Sequence, residues 1–428
     1  MTHQSGLQNL RKQYLSLYPP HLIQLDLEPR LTLARNQGWI YDHLLSSDSL
    51  AAQYPPASDY QRKFWKLLVA ALDVELRDDR AVEEELELDD RIAEHYTELI
   101  FQSTNPLDVP GPSYKTYIYN TSPYSAGSNF VPPSEEKAIT LLEAQTTIEA
   151  GSTGLRTWTA SLHLATLLSL DDSLLDPPFP PIGAPSGSST PSSRPTGRTN
   201  LLELGAGTGF LSCFLAQTGR RTIWATDIGD EDGGDLNNEE ESEERGRLEK
   251  GGGRIQEDRV DGLRRGPLKS LKSNLRINRQ RFHSESRVIP RSLDWFDSVP
   301  PNDDSAQSAA EPYEAACAFS KSLPTDLVLL AADVIYDPDL VAPLVATLKM
   351  FLSQTDDEVG LTKKRFGLLA ATVRNQETTD LFERECERTG LKVHVVRSPI
   401  LPDSAATPMF WNASTWEGQD VKVVKIYV

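Results

Sequence analysis

The amino-acid sequence predicts an α/β fold, with a largely parallel sheet covered by helices on both faces and a helical module in front of it. Short, almost continuously apolar segments alternate with helical segments after residue 139, and this is the pattern of strands that are buried on both faces. One of these strands, NLLELG, breaks into a glycine turn and continues as the helix FLSCFLAQ. Residues 1 to about 105 show only helical periodicity, so we expect two domains, at 1–110 and 111–428.

The helical module is predicted from three segments in which apolar residues recur at helical spacing. They are LRKQYLSL, YQRKFWKLLVAALDVEL and AVEEELELDDRIAEHYTELIF. The last of these begins with an acidic run, which we interpret as a solvated helix face, although such a run could also attract a basic surface.

The second domain begins with LRTWTASLHLATLLSL, a predicted helix in which Leu155, Trp158 and Leu162 share one face. The strands that follow are predicted at NLLELG, RTIWATD, RVIPRSLDW, TDLVLLAADVIY, RFGLLAATV, LKVHVVRS and VKVVKIYV. Helices are predicted between them at FLSCFLAQ, LKSNLRINR, DLVAPLVATLKMFL and TTDLFERECERTG. The segments 176–198 and 229–266 are Pro/Ser/Gly-rich or charged, with too little apolar content to offset the entropy of ordering, and we expect flexible insertions there.

Composition limits the classes of function. The net charge of -19 opposes direct binding to a nucleic-acid backbone, which depends on Lys and Arg. No run of about 18 apolar residues could span a membrane, and the N-terminus lacks the pattern of a signal peptide, so we expect a cytoplasmic protein. Three widely spaced cysteines and scattered histidines give no metal-binding motif, so we expect no bound metal. We also expect a monomer.

The glycine turn predicts a ligand held against the backbone. Gly205, Gly207 and Gly209 are spaced G-x-G-x-G, and the amides that follow open a helix N-terminus, where a carboxylate or phosphate binds. In a dinucleotide fingerprint the third glycine would stand at position 210, where this chain has Phe210. A plain strand-to-helix turn is the alternative for this string taken alone.

The ends of the next two strands favour a nucleoside. Asp227 ends TIWATD, the usual place for a carboxylate that accepts the hydroxyls of a ribose. Asp294 and Trp295, in SLDWF, suit an adenine, because the acid accepts from the exocyclic amine and the indole covers the ring. Together with Phe210 these residues favour S-adenosylmethionine over a dinucleotide. A helix cap for Asp227 and a core position for Trp295 are the alternatives.

A third strand ends in AADVIYD, which predicts Ala332 beside the ligand. Asp333 and Tyr336 would then lie at the cleft mouth, where a carboxylate and a phenol can hold an incoming amine. A helix N-terminal acid and a packing ring are the alternative interpretation.

Taken in order, LELGAGTG, Asp227, LDW and the D-x-x-Y string from Asp333 to Tyr336 resemble the seven-β-strand protein-lysine methyltransferases. GSTGLRTWTASLHLA, ATVRNQETTDLF and the helical module resemble the elongation factor 2 lysine methyltransferases in particular, including the fungal members. The resemblance implies a Rossmann-like sheet in the order 3-2-1-4-5-7-6 with its last strand antiparallel. It also implies a protein substrate, elongation factor 2. We expect the helical module to recruit that substrate, because a lone lysine has too little surface to specify one partner.

The resemblance further implies the residues of the site. Those that would contact S-adenosylmethionine are Trp158, Glu203, Gly205, Ala206, Gly207, Asp227, Asp294, Trp295 and Ala332. Asp333 and Tyr336 would line the lysine entrance and act in catalysis. From the residues alone, a core aromatic on an amphipathic helix is the simpler interpretation of Trp158.

Other functions stay open from the sequence. A nicotinamide oxidoreductase could use the same fold, although Phe210 and the LDW and D-x-x-Y strings argue against it. A methyltransferase for another protein lysine, for RNA or for a small molecule could use the same donor site. A non-catalytic interaction protein could keep the fold without the activity.

Overall fold

The computed structural model describes the chain in twelve stretches, namely 3–25, 30–78, 85–101, 111–121, 135–145, 155–176, 199–229, 266–301, 310–353, 365–396, 408–412 and 420–428. The chain divides into two compact units. The first takes in Met1–Thr121, Pro132–Thr147 and Pro402–Thr415, and the second Ser122–Val131, Ile148–Leu401 and Trp416–Val428. Apart from their end residues, the predicted insertions 176–198 and 229–266 lie outside the described residues, so their flexibility stays a prediction.

The first unit contains helices and a hairpin. The helices are α1 (His3–Leu15), α2 (Ala34–Ile40), α3 (Leu50–Gln53), α4 (Ser58–Leu76) and α5 (Asp90–Phe101). The hairpin pairs β1 (Ser113–Thr121) antiparallel with β2 (Glu135–Glu143). No strand was predicted for this hairpin, whose residues the predicted boundary at 110 places in the second domain. The predicted helix that corresponds to α5 begins several residues before Asp90.

The core of the first unit forms on one face of α4. Phe64, Leu68 and Leu72 follow one another at four-residue spacing and are fully buried, as the periodicity predicts. Tyr14 of α1 packs its ring 4.4 Å from that of Phe64 and 5.9 Å from that of Trp65. Large aromatic side chains therefore join the N-terminal helix to the longest helix of this unit.

The second unit is built on a seven-stranded sheet. Its strands are β3 (Thr199–Leu204), β4 (Arg221–Asp227), β5 (Arg287–Ser292), β6 (Leu327–Ala332), β7 (Phe366–Thr372), β8 (Lys392–Val395) and β9 (Val421–Tyr427). They lie in the order β5-β4-β3-β6-β7-β9-β8, and β9 is antiparallel to both of its neighbours. Counted from the first strand of the sheet, this is 3-2-1-4-5-7-6, which confirms the predicted Rossmann-like methyltransferase topology.

Helices cover both faces of this sheet. They are α6 (Thr159–Leu170), α7 (Phe210–Thr218), α8 (Pro267–Asn278), α9 (Ala310–Ser322), α10 (Pro338–Leu352) and α11 (Gln376–Thr389). Side chains alternate along β3, so Leu202 and Leu204 join the apolar cluster that contains Leu344 and Leu348 of α10. Glu203 lies on the other face, where it accepts a hydrogen bond from Ser212 of α7.

Two elements of the second unit differ from the prediction. The helix predicted from Leu155 begins at Thr159, and Trp158 precedes it in an extended conformation, with φ -97° and ψ 158°. Trp158 is therefore not on the helix face that the periodicity assigned to it. The helix α9 was not predicted, because only Ala316 and Ser320 are buried in it and a helix without a stripe of large apolar residues gives no periodic signal.

The parallel strands bring several loops to one edge of the sheet. Asp227 ends β4 and pairs with Ser292 at the end of β5, while Ala332 ends β6 and pairs with Ala370 of β7. The residues after β3, β4, β5 and β6 therefore meet at the carboxyl edge, where open α/β sheets bind ligands. None of the described helices combines the length and the apolar character needed to cross a lipid bilayer.

We expect Gly209→Ala to lower the free energy of unfolding by about 3 kcal/mol. Gly209 has a φ of 82°, and a Cβ atom there would lie 2.6 Å from Cδ1 of Leu271 on α8. The substitution therefore combines a left-handed backbone with a steric clash. Urea denaturation of the purified protein measures the loss.

The matched control is Gly390→Ala. Gly390 has almost the same φ, 79°, but the nearest atom to its added Cβ is Nζ of Lys349 at 3.9 Å. Only the backbone penalty of about 1 kcal/mol is expected there. Equal losses at the two positions would contradict the packing of α8 against Gly209.

Candidate active site

The turn between β3 and α7 requires glycine at each of its three glycine positions. Gly205, Gly207 and Gly209 have φ angles of 63°, 56° and 82°, in the left-handed region that favours glycine. A Cβ atom on Gly205 would also lie 3.1 Å from Cγ1 of Val334 and 3.2 Å from Cζ2 of Trp295. The turn thus lets the backbone after β3 pack directly against side chains that follow β5 and β6.

Asp227 is fixed by this turn. Its Oδ2 accepts a hydrogen bond from the backbone N–H of Gly207 at 2.6 Å, and its Oδ1 accepts one from Ile228 at 2.8 Å. Burial raises the pKa of Asp227 to about 6, and these two backbone bonds oppose the shift. The carboxylate therefore ionises just below neutral pH, with both oxygens already oriented.

Glu203 is a second buried acid behind the turn. Only 3% of the residue is exposed, and Ser212 donates its hydroxyl to the carboxyl group. Burial raises the pKa of Glu203 to about 8, the hydrogen bond from Ser212 opposes this, and the nearby charge of Asp227 adds to it. Glu203 is therefore mostly protonated at pH 7, whereas Asp227 is mostly ionised.

The adenine-binding residues predicted after β5 lie in a short turn. Asp294 accepts a hydrogen bond from the backbone N–H of Phe296 at 3.0 Å and so caps the 3-10 turn Trp295–Ser298. The backbone N–H of Leu293 donates to the carbonyl of Asp227 at 3.1 Å, which joins this turn to the end of β4. Trp295 is half-buried, and its ring faces Gly205.

Asp333, directly after β6, is held by its own chain. It has a φ of 58°, unusual for a residue with a side chain, and its carboxylate is buried, with 2% of the side chain exposed. Oδ1 accepts from the backbone N–H of Thr372 at 2.8 Å. Oδ2 accepts from the Thr372 hydroxyl at 3.1 Å, the Ala160 N–H at 3.2 Å and Nη2 of Arg374 at 3.3 Å.

Trp158 depends on the same carboxylate. It occupies the N-cap position of α6 but makes no capping bond with its own side chain, and Asp333 instead accepts the hydrogen bond from Ala160 in the first turn. The guanidinium of Arg374 lies over the Trp158 ring, 4.7 Å from its centroid, and is itself paired with Asp333. Residues after β6, after β7 and before α6 therefore form one cluster.

One cavity of about 220 Å³ brings the predicted residues together. The members of its lining that the sequence predicted are Trp158, Glu203, Gly205, Ala206, Gly207, Asp227, Asp294, Trp295, Ala332, Asp333 and Tyr336. Tyr336 is 42% exposed. All eleven residues thus line the same cavity. Their individual roles stay predictions. Among the described residues, no group of three or more His, Cys, Asp or Glu could hold a metal ion.

Several residues at this site were not predicted from the sequence. Thr157 and Thr208 line the cavity with their hydroxyl oxygens 2.8 Å apart, and Ile228 and Phe296 expose apolar surface to it. Arg374 lies in the segment ATVRNQETTDLF, on which the family resemblance partly rests, but no role was predicted for it. The position of its segment, directly after a predicted strand, is the one signal that could have identified it.

Comparison with known proteins agrees with the motifs. The chain is 24% identical over 367 residues to the protein-lysine N-methyltransferase EFM3 of Chaetomium thermophilum, covering 85% of this chain and 82% of that protein. It is 25% identical over 317 residues to the protein of the same name from Saccharomyces cerevisiae, covering 74% of this chain and 68% of that protein. No family model matches the chain. The resemblance to protein-lysine methyltransferases is confirmed by these two relatives.

Solved structures match only part of the chain. A TehB-like methyltransferase from Corynebacterium glutamicum has a TM-score of 0.25 at 12% identity, and the match covers 54% of this chain and 81% of that one. Precorrin 8w decarboxylase from Methanobacterium thermoautotrophicum has the same score and identity, with 54% and 82% covered.

We expect Glu203→Gln to change how stability depends on pH. A carboxyl group whose pKa is raised by folding stabilises the fold fully below its unfolded pKa, near 4.5, and this contribution is lost as pH rises through about 8. The loss is about 1.4 kcal/mol per pH unit within that window. Between pH 6.5 and 8 the wild-type free energy of unfolding should therefore fall by about 2 kcal/mol relative to the Gln variant.

Urea denaturation at several pH values measures this difference. Glu385→Gln is the control, because Glu385 pairs with Arg388 and its pKa is lowered, so it stays ionised across the range. Parallel curves for wild type and Glu203→Gln would contradict the assignment.

Proposed function

We propose that this chain, a seven-strand methyltransferase whose curated relatives are protein-lysine N-methyltransferases, methylates a lysine side chain of elongation factor 2 with S-adenosylmethionine as donor. One observation carries the proposal: the residues that follow β3, β4 and β5, which the sequence predicts to bind an adenosyl group, line a single cavity together with Asp333 and Tyr336 after β6. The lysine chemistry is supported by the two relatives, and the choice of elongation factor 2 by the resemblance of GSTGLRTWTASLHLA and ATVRNQETTDLF.

The cavity fits an adenosyl ligand by the chemistry of its lining. Asp227 presents an oriented carboxylate for the ribose hydroxyls, and the half-buried ring of Trp295 offers an apolar surface for the adenine. The first turn of α7 follows Gly209, and a helix N-terminus favours the carboxylate of the methionine part. Phe210 leaves no third fingerprint glycine at that position, which disfavours a pyrophosphate.

The donor supplies a methyl group on a positively charged sulfur, and the chain has to align a neutral amine with it. Free lysine has a pKa of about 10.4 and must release a proton to solvent water before it attacks. The ring of Tyr336 offers the amine an apolar approach, and partial desolvation disfavours the ammonium form. Positioning of the amine then contributes most of the acceleration.

Tyr336 is the residue through which we propose contact with the substrate lysine. It is 42% exposed, and its ring lines the same cavity as Trp158. Asp333, predicted for the same role, has its carboxylate bound by donors of its own chain. The first unit is proposed to recruit the protein substrate, because a lone lysine has too little surface to specify one partner. We further propose a cytoplasmic monomer that does not bind nucleic acid directly.

The substrate can be identified by transfer of label. Purified protein is incubated with S-adenosylmethionine labelled at the methyl group and with lysate of a strain that lacks this protein. We expect label on a lysine of elongation factor 2, located by mass spectrometry of the labelled band. The Asp227→Asn variant serves as the matched control and should transfer far less. Label on another protein lysine would contradict the choice of elongation factor 2, and label on RNA would contradict the lysine chemistry.

Cofactor affinity should depend on pH through Asp227. The ionised carboxylate accepts ribose hydroxyls better than the protonated one, so affinity should be full above about pH 6 and fall as pH drops through that value. Calorimetry with S-adenosylhomocysteine should show Kd rising up to about tenfold per pH unit below pH 6. Glu203, with a pKa of about 8, stays protonated between pH 5 and 7 and does not contribute.

Asp227→Asn provides the comparison. The variant should bind weakly and with the same Kd from pH 5 to 7, because the titrating group is gone. A wild-type Kd that does not change over this range would count against Asp227 as the ribose acceptor.

A further inference from the structure

We propose that Asp333 and Arg374 form a positioning pair that holds the indole of Trp158 in the cavity wall, and that Asp333 does not itself take the proton of the substrate lysine. This inference rests on the proposed function, because it concerns how the same site is assembled. It assigns to Arg374 a role that neither the motifs nor the relatives' names indicate.

The first argument is the capacity of the Asp333 carboxylate. An ionised carboxylate has about four acceptor sites, and four hydrogen bonds are already made to it. Two come from Thr372, one from Ala160 and one from Arg374. With 2% of the side chain exposed, an amine could reach it only by displacing one of these donors. Its bonds therefore serve the chain and not the substrate.

The backbone of Asp333 supports the same role. A φ of 58° in a residue with a side chain persists only where the surroundings determine it strongly. The backbone N–H of Asp333 donates to the carbonyl of Ala370 at 2.8 Å, and the side chain returns to Thr372, two residues further along β7. Both halves of Asp333 thus bind the end of β7, and this fixes where its carboxylate lies.

The second argument is the dependence of Trp158 on this carboxylate. The N-terminus of α6 lacks a capping bond from Trp158, and Asp333, 173 positions away in sequence, accepts the bond from Ala160 instead. A carboxylate at a helix N-terminus also interacts favourably with the helix dipole. Removing it would loosen the first turn of α6, which follows Trp158 directly.

Arg374 completes the arrangement from the other side of the indole. Its guanidinium lies 4.7 Å from the ring centroid, a distance at which a cation over an aromatic face is attracted. Nη2 of Arg374 lies 3.3 Å from Oδ2 of Asp333, and this ion pair keeps the guanidinium over the ring. The Arg374 side chain remains 40% exposed. The indole is thus held by its backbone through Asp333 and by its face through Arg374.

The test uses Arg374→Met, because Arg374 is partly exposed and its loss should leave a folded protein. We expect Kd for S-adenosylhomocysteine, measured by calorimetry, to rise about fivefold, the size expected for losing one partly exposed cation–π contact. Trp158→Leu should weaken binding at least as much. The double variant should bind no more weakly than Trp158→Leu alone, because Arg374 acts through the indole.

Arg365→Met is the control for a merely structural effect. Arg365 begins the same segment as β7 at its opposite end, and donates to backbone carbonyls that include those of Ser320, Leu323 and Phe351. Its substitution should lower the melting temperature and leave Kd within about twofold. Arg374→Lys keeps a charge for Asp333 but lacks the planar face, and should give an intermediate Kd.

Asp333→Asn distinguishes positioning from proton transfer. Under the proposal, Asp333→Asn raises Kd when Trp158 is present. When Trp158 has already been replaced by Leu, adding Asp333→Asn leaves kcat unchanged. A fall in kcat of the same size in both backgrounds, with Kd unchanged, would overturn the proposal. An unchanged Kd in Arg374→Met would also overturn the proposal. If the wild type then binds the cofactor and methylates normally, the proposed function still stands. A wild-type protein that does not bind S-adenosylhomocysteine would overturn both.

Discussion

The site depends on the parallel arrangement of β3, β4, β5 and β6. Parallel strands must deliver their following residues to the same edge, so the glycine turn, Asp227, Trp295 and Asp333 converge although up to 128 positions separate them in sequence. The chain between those strands can then vary in length without moving the convergence. The position of the cavity is in this sense a property of the sheet, and the loops contribute side chains to a place already determined.

Assembling the site has a measurable cost in stability. Burial raises the pKa values of both Glu203 and Asp227, and the charge of Asp227 raises the pKa of Glu203 further. Asp333 holds a left-handed backbone, which glycine would adopt without strain. Residues chosen only for stability would be apolar at the first two positions and glycine at the third. Their presence supports the proposed binding and positioning roles, and near pH 7 an ionised Asp227 lies close to a neutral Glu203.

Most of the cavity lining could be predicted because its signals are local. LELGAGTG carries its own turn conformation in the glycines, and each strand end follows an apolar run, so short windows of sequence were sufficient. The sheet order followed from the family resemblance and agrees with the structure. The hairpin β1–β2 was missed because consecutive residues such as Tyr117, Ile118 and Tyr119 are all buried, so its strands lack the alternation of a half-buried strand. The helix α9 was missed because it has no stripe of large apolar residues. The start of α6 was misplaced for another reason: Asp333 accepts the hydrogen bond from its first turn, and a pattern of helical spacing has no information about a residue so distant in sequence.

The same distinction separates the glycine turn from the cluster around Trp158. Trp158, Asp333 and Arg374 come from three segments, and their arrangement exists only through contacts between residues far apart in sequence. The D-x-x-Y string suggested that Asp333 and Tyr336 act together, since they are three positions apart. In the folded chain, however, Asp333 is buried against Thr372, and Tyr336 is the more exposed of the two. Proximity in sequence therefore identified which residues reach the cavity, while the contacts decide which of them remains accessible to a substrate.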